Sequence, residues 1–160
     1  MMKELFLQLP ALIVFLHVLS ATLWIGGMIA IRFAVHYSMQ NIDEPKIKLG
    51  RTLENLKRFF NLVLPFIALL LITALVLIFG LELKSSPLNK FVHIKEAIWT
   101  VMTIIYITVY VKRNKAQKAF DTGDFATAKA QLSPIAGFYI PLNIVLGLIA
   151  IYLGVTLRGF

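Results

Sequence analysis

The sequence contains no cysteine, so the chain by itself can form no disulfide, thiolate nucleophile, zinc ribbon or iron–sulfur cluster. Acidic residues are scarce, 8 Asp+Glu against 16 Lys+Arg, and all charged residues together make up 15% of the chain, well short of the roughly 25% usual in soluble domains. That shortage argues against an ordinary soluble enzyme, and disorder, collagen, a coiled coil and a secreted disulfide scaffold are excluded by composition. Also missing are a phosphate-binding glycine loop, a His-Glu-x-x-His zinc motif, a Ser/His/Asp arrangement and any internal repeat. Redox chemistry in such a chain needs a borrowed cofactor.

What fills the chain instead is apolar: 59% of its residues are hydrophobic and the mean hydropathy is +0.81. A length of 160 residues sets one domain as the natural count. Four long apolar segments, approximately 10–31, 60–81, 97–111 and 134–157, mostly approach the ~20 residues that cross ~30 Å of hydrocarbon. The first is too long, and too weakly basic in front, for a cleaved signal peptide, and reads as a retained span. With their helical flanks the four spans cover about 10–37, 58–81, 88–113 and 134–157, an all-α integral membrane bundle in one domain.

A net charge of +8 could point to nucleic acid in a soluble protein, but here its distribution decides otherwise. Arg32, Lys46, Lys48, Arg51, Lys57 and Arg58 cluster between the first two spans, and Lys112, Arg113, Lys115, Lys118 and Lys129 between the last two. Only Lys3, Lys84, Lys90, Lys95 and Arg158 remain for the termini and the 81–96 connection. The positive-inside rule then makes the two rich loops cytoplasmic and leaves both termini outside, in a multi-pass protein whose partner is the lipid bilayer.

Local chemistry sets the boundaries. Pro10 suits a first helical turn, and Asn41, Asp43 and Pro45 mark the turn after the first helix. Between Lys46 and Phe60, charges alternate with Ile47, Leu49, Leu53 and Leu56, a pattern expected of a helix lying at the headgroups. Pro65 and Pro141 should kink their spans, with Asn61 and Asn143 nearby to satisfy the freed backbone groups. Ser85, Ser86 and Pro87 form the tight external turn, and Asp121 to Asp124 break the 112–132 loop.

Ionisable groups inside spans are costly, so function is sought there first. His17 lies seven residues into the first span, roughly 10 Å along a helix. Ala21, Trp24, Met28 and Val35 share its stripe, flanked by Ser20 and Arg32. Two readings stand: His17 donates to a carbonyl or hydroxyl across a helix interface, or it ligates a metal. His93 opens the third span at the same height, and two imidazoles at one level could clamp a haem iron in the slot between facing helices. Lys95 follows at 200° around the helix, so His93 and Lys95 cannot both face the first span. Arg32 and His36 pair at the cytoplasmic end, either as a boundary marker or as a site for a porphyrin carboxylate. Trp24 and Trp99 serve packing or stack edge-on against a porphyrin.

Taken in order, Phe15-Leu16-His17, Trp24, Gly27, Arg32-Phe33-Ala34-Val35-His36, Lys57-Arg58-Phe59-Phe60-Asn61 with Pro65, and Val92-His93-Ile94-Lys95 resemble the HemJ-type protoporphyrinogen oxidase family and, more broadly, its CopD-like copper resistance relatives. The resemblance covers three of the four spans. It implies haem b as cofactor, His17 and Lys95 as the residues tied to haem and activity, and oxidation of protoporphyrinogen with electrons passed to quinone or the respiratory chain. Lys95 and Arg32 are accordingly the candidate catalytic residues, and His17, His93, Lys95 and Trp24 the candidate haem contacts. The last span departs from the family: where an Arg-x-x-Asn-Glu-x-Pro signature belongs, this chain has Gly137-Phe138-Tyr139-Ile140-Pro141-Leu142-Asn143. Three functions stay open: the oxidase, a copper transporter of the CopD kind, and a non-catalytic haem-b electron-transfer subunit. The copper reading lacks soft ligands, having only Met28 and Met102 within spans, on different helices. Bundles of this size often pair, which would give a homodimer.

Overall fold

A computed structural model describes residues 2–157, all of whose regular structure is helical. Arg158, counted above among the outer charges, lies outside the described residues. A short helix α1 (Met2–Gln8) precedes four long ones: α2 (Pro10–Gln40), α3 (Pro45–Gly80), α4 (Asn89–Asp121) and α5 (Phe125–Leu157). Each of the four is long and apolar enough to cross a membrane. α2 packs most extensively on α3, α4 on α5, and the ring closes through α2 with α5 and α3 with α4.

Start and stop signals act where the sequence places them. Pro10 and Pro45 occupy first turns, where the missing N–H removes no bond. Glu82 takes a left-handed conformation (φ 51°) to end α3, and Lys3 of α1 forms an ion pair with its carboxylate, which holds that carboxyl below its ordinary value. Phe6 lies over Gly80, the close approach that requires glycine there. The first helix therefore docks at the 81–88 turn, and this turn and the N-terminus share one end of the bundle. At the other end Gly123 (φ 82°) reverses the chain and Asp124 caps α5, accepting from the Thr127 amide at 3.0 Å.

The helices overrun the expected spans at this second end. At 36 residues α3 is about 54 Å long, with no break at residue 58 and Pro65 inside one continuous helix. The Lys46–Phe60 stretch is not a separate headgroup helix. Its apolar residues Leu53 and Leu56 are buried in the same cluster as Ala116 of α4 and Leu132 of α5, and Gly50 faces the Phe120 ring. Protein rather than lipid covers that stripe, so it continues the helix. Likewise the 112–132 loop is a helical hairpin, α4 running to Asp121 and α5 starting at Phe125. Buried Arg113 fastens the α4 arm to α3: its Nε and one terminal nitrogen donate to the Leu53 carbonyl at 3.3 and 3.2 Å, and it donates to Gln117 Oε1 of its own helix at 2.8 Å.

Two helices carry a π turn, Ile31–Val35 in α2 and Ile135–Tyr139 in α5. The second ends two residues before Pro141. The expected asparagine supports are not formed: Asn61 is exposed, and buried Asn143 donates instead to the Met102 carbonyl of α4 at 3.4 Å.

Candidate functional site

All four long helices contribute to one polar spot in the half of the bundle nearer the N-terminus. His17 comes from α2, half-buried, one turn above fully buried Ser20, whose hydroxyl is spent on the Leu16 carbonyl at 2.7 Å. Thr73, 1% exposed on α3, lies opposite, with its Oγ1 at 3.0 Å from His17 Nδ1. Lys95 enters from α4, also half-buried, and its ammonium reaches over Gly154 of α5, where an added Cβ would lie 2.9 Å from the nitrogen. Lys95 is also the charged group that acts electrostatically on the imidazole.

Hydrogen counting assigns the tautomer. The Thr73 hydroxyl has one proton and two backbone acceptors in its own helix, the Leu69 carbonyl at 2.8 Å and the Leu70 carbonyl at 3.1 Å. With that proton committed to its own helix, Oγ1 is an acceptor for the Nδ1–H tautomer of the ring, and the Leu70 carbonyl is a further acceptor beside it. Fixing one ring nitrogen by a hydrogen bond is how proteins orient a ligating histidine. The interface hydroxyl and the ligand reading of His17 are thus compatible, since the Nδ1–H tautomer leaves Nε2 unprotonated.

The remaining candidates separate. His93 does not meet His17; it is exposed on the far face of α4, with Nδ1 3.0 Å from Glu96 Oε2, and Glu96 in turn lies 3.9 Å from Lys84. The 200° offset therefore resolves in favour of Lys95 inward and His93 outward. Arg32 lies fifteen residues beyond His17 on α2, about 22 Å along the axis, too far to serve a porphyrin whose iron is at His17. Trp24 is 1% exposed and packed with Met28, Phe60 and Tyr106 in the main core, where it walls a cavity of only about 20 Å³. It packs; it borders no macrocycle slot. Among the described residues no three His, Asp or Glu side chains converge on a metal position. Thr73 is the functional residue that sequence reading misses, and its one signal is a lone hydroxyl in the apolar run Leu69 to Val76.

No family model matches the chain, and no solved structure matches it. It is similar to an uncharacterized protein of Aquifex aeolicus (strain VF5), 28% identical over 157 residues, which is 98% of this chain and 96% of that protein. The likeness therefore takes in all four long helices.

Proposed function

We propose that the chain is a haem-b-binding oxidoreductase of the bacterial inner membrane, resembling the HemJ-type protoporphyrinogen oxidases, with both termini outside and the basic hairpin ends in the cytoplasm. The observation that carries this reading is the His17–Thr73 bond, which orients an imidazole inside the bundle within the electrostatic reach of an inward lysine. His17 of α2 would hold the haem iron, with Lys95 as a second nitrogen or as the cation that would receive an anionic porphyrin substituent. Bound there, haem would supply one-electron redox chemistry between a reduced porphyrin and quinone. The chain's own contribution is narrower. Thr73 sets the imidazole's orientation and tautomer, Lys95 brings a positive charge with no hydrogen-bond acceptor among the described residues, and Gly154 leaves the space into which that ammonium extends.

The purified protein is expected to give a Soret band with sharp α and β bands on reduction, and His17→Ala to abolish it. A colourless wild-type protein, or unchanged haem in the His17→Ala variant, refutes the reading. A second reading, a non-catalytic haem-b electron-transfer subunit, is favoured by α5: around Pro141 it offers the core Asn143 and no acid or arginine. Complementation of a strain lacking its own protoporphyrinogen oxidase separates the two, since only the oxidase restores growth.

A further inference from the structure

At the end of the bundle remote from the N-terminus, the two π turns face each other. Ile31 and Val35 of one and Ile135 of the other line a single cavity of about 50 Å³, to which Arg32, His36 and Asn55 add polar groups. In each turn an amide reaches back five residues, His36 to the Ile31 carbonyl and Ile140 to the Ile135 carbonyl. Such turns are rare and recur at functional sites. Here two of them, on helices distant in sequence, border the same space.

The lining offers donors and positive charge. Arg32 lies 5.8 and 5.9 Å from the Phe33 and Tyr37 ring centres, and among the described residues no carboxylate stands within 4.0 Å of it. His36 Nε2 accepts from the Gln40 amide at 3.2 Å, which leaves its Nδ1–H as a donor. Lys48 and Arg32 are the two cations acting on that ring. No acidic residue lines the cavity. Its volume holds about three or four water-sized groups, enough for a phosphate and far too little for a porphyrin. Arg32 is twenty-two residues past Pro10, about 33 Å along the helix, which sets it just beyond ~30 Å of hydrocarbon, at the depth of lipid phosphates.

We propose that this cavity binds the phosphate of an anionic phospholipid headgroup, Arg32 supplying a bidentate fork and His36 and Asn55 further donors, with the acyl chains leaving along the apolar walls. A zwitterionic headgroup is disfavoured because its amine would meet two cations and no carboxylate. Inorganic phosphate shares the chemistry and is the competing source.

The test uses the full-length protein in detergent, titrated with phosphatidylglycerol, phosphatidylcholine or inorganic phosphate and read by native mass spectrometry and thermal shift. Wild type is expected to retain phosphatidylglycerol at least about tenfold better than phosphatidylcholine, the scale of one charge-assisted contact. Arg32→Ala should lose that preference and Arg32→Lys keep part of it. Ala136→Leu, which fills the cavity and leaves every charge in place, should lose it too, and covers the case in which Arg32→Ala does not fold. Equal retention of the two lipids, or wild-type retention by both the Arg32→Ala and Ala136→Leu variants, overturns the proposal. Displacement of phosphatidylglycerol by millimolar phosphate, with phosphate alone giving the thermal shift, overturns the lipid source.

Discussion

Replacing Thr73 by valine is the sharpest test of how the polar spot works, because it changes one atom's chemistry and almost nothing of shape. Thr73 is 1% exposed, and its Oγ1 joins the His17 ring at 3.0 Å to the Leu69 carbonyl at 2.8 Å. The backbone carbonyls keep their helical amide partners in the variant, so losing the hydroxyl costs them little. The cost falls on the His17 N–H, which loses its acceptor on Thr73 and keeps only the Leu70 carbonyl, about 1–3 kcal/mol. For a chain of this size the midpoint of that range lowers Tm by about 4–8 °C. Because the same bond orients the ring, haem affinity should fall by about 10–100-fold, the usual effect of losing a group that orients a metal ligand. Both are measured on detergent-purified protein, by thermal unfolding and by haem titration followed at the Soret band, with Thr73→Ser expected to restore most of each. If Thr73→Val unfolds at the wild-type temperature and titrates within about twofold of wild type, the imidazole is oriented by something else and the tautomer assignment fails.

Arg113→Met removes both donors to the Leu53 carbonyl and the Gln117 contact; a loss of about 2–3 kcal/mol is expected in denaturant unfolding, with Arg113→Lys recovering less than half because it lacks the planar fork. Gly147→Ala drives its Cβ to 2.7 Å from Ile25 Cγ1 and 3.3 Å from Met102 Cε, and should cost about 1–3 kcal/mol, while Gly26→Ala, with nothing within 4 Å, should leave Tm unchanged. The Thr127 hydroxyl and amide hold the Asp124 carboxyl below its ordinary value. A depressed acid contributes stability that is complete above its unfolded pKa of about 3.9 and fades as pH falls through the lower folded value. Protection of the Thr127 amide relative to its intrinsic exchange rate should therefore fall below about pH 4 in wild type, and Asp124→Asn should remove that pH dependence while keeping a cap.

Four helices long and apolar enough to cross a membrane were legible because twenty-residue apolar runs leave few alternatives, and Pro10, Pro45 and Gly123 marked their ends by backbone chemistry alone. The helical ends beyond the apolar runs were misread for a physical reason. An amphipathic stripe such as Leu49, Leu53 and Leu56 looks the same whether headgroups or another helix covers it, and only the tertiary partners Ala116 and Leu132 decide. The same limit applies to the site. Helical geometry showed that His93 and Lys95 exclude each other, but the choice depended on which face α5 presented to Lys95, and a glycine at 154 gives no such signal in isolation. Arg32 was grouped with His17 by its place on a stripe, although its height along the helix separates them. The π turns left no trace in the pattern, since the residues within them, Ile-Arg-Phe-Ala-Val and Ile-Ala-Gly-Phe-Tyr, are compatible with ordinary α-helix.

The unbroken α3 has a mechanical consequence. Leu53, gripped by Arg113 at one end, and Thr73, bonded to His17 toward the other, belong to a single continuous helix with Pro65 between them. A proline donates no amide, so the turn it occupies is the compliant point of that shaft. Torsion applied to the projecting hairpin would be taken up there before it swung the threonine hydroxyl relative to the imidazole.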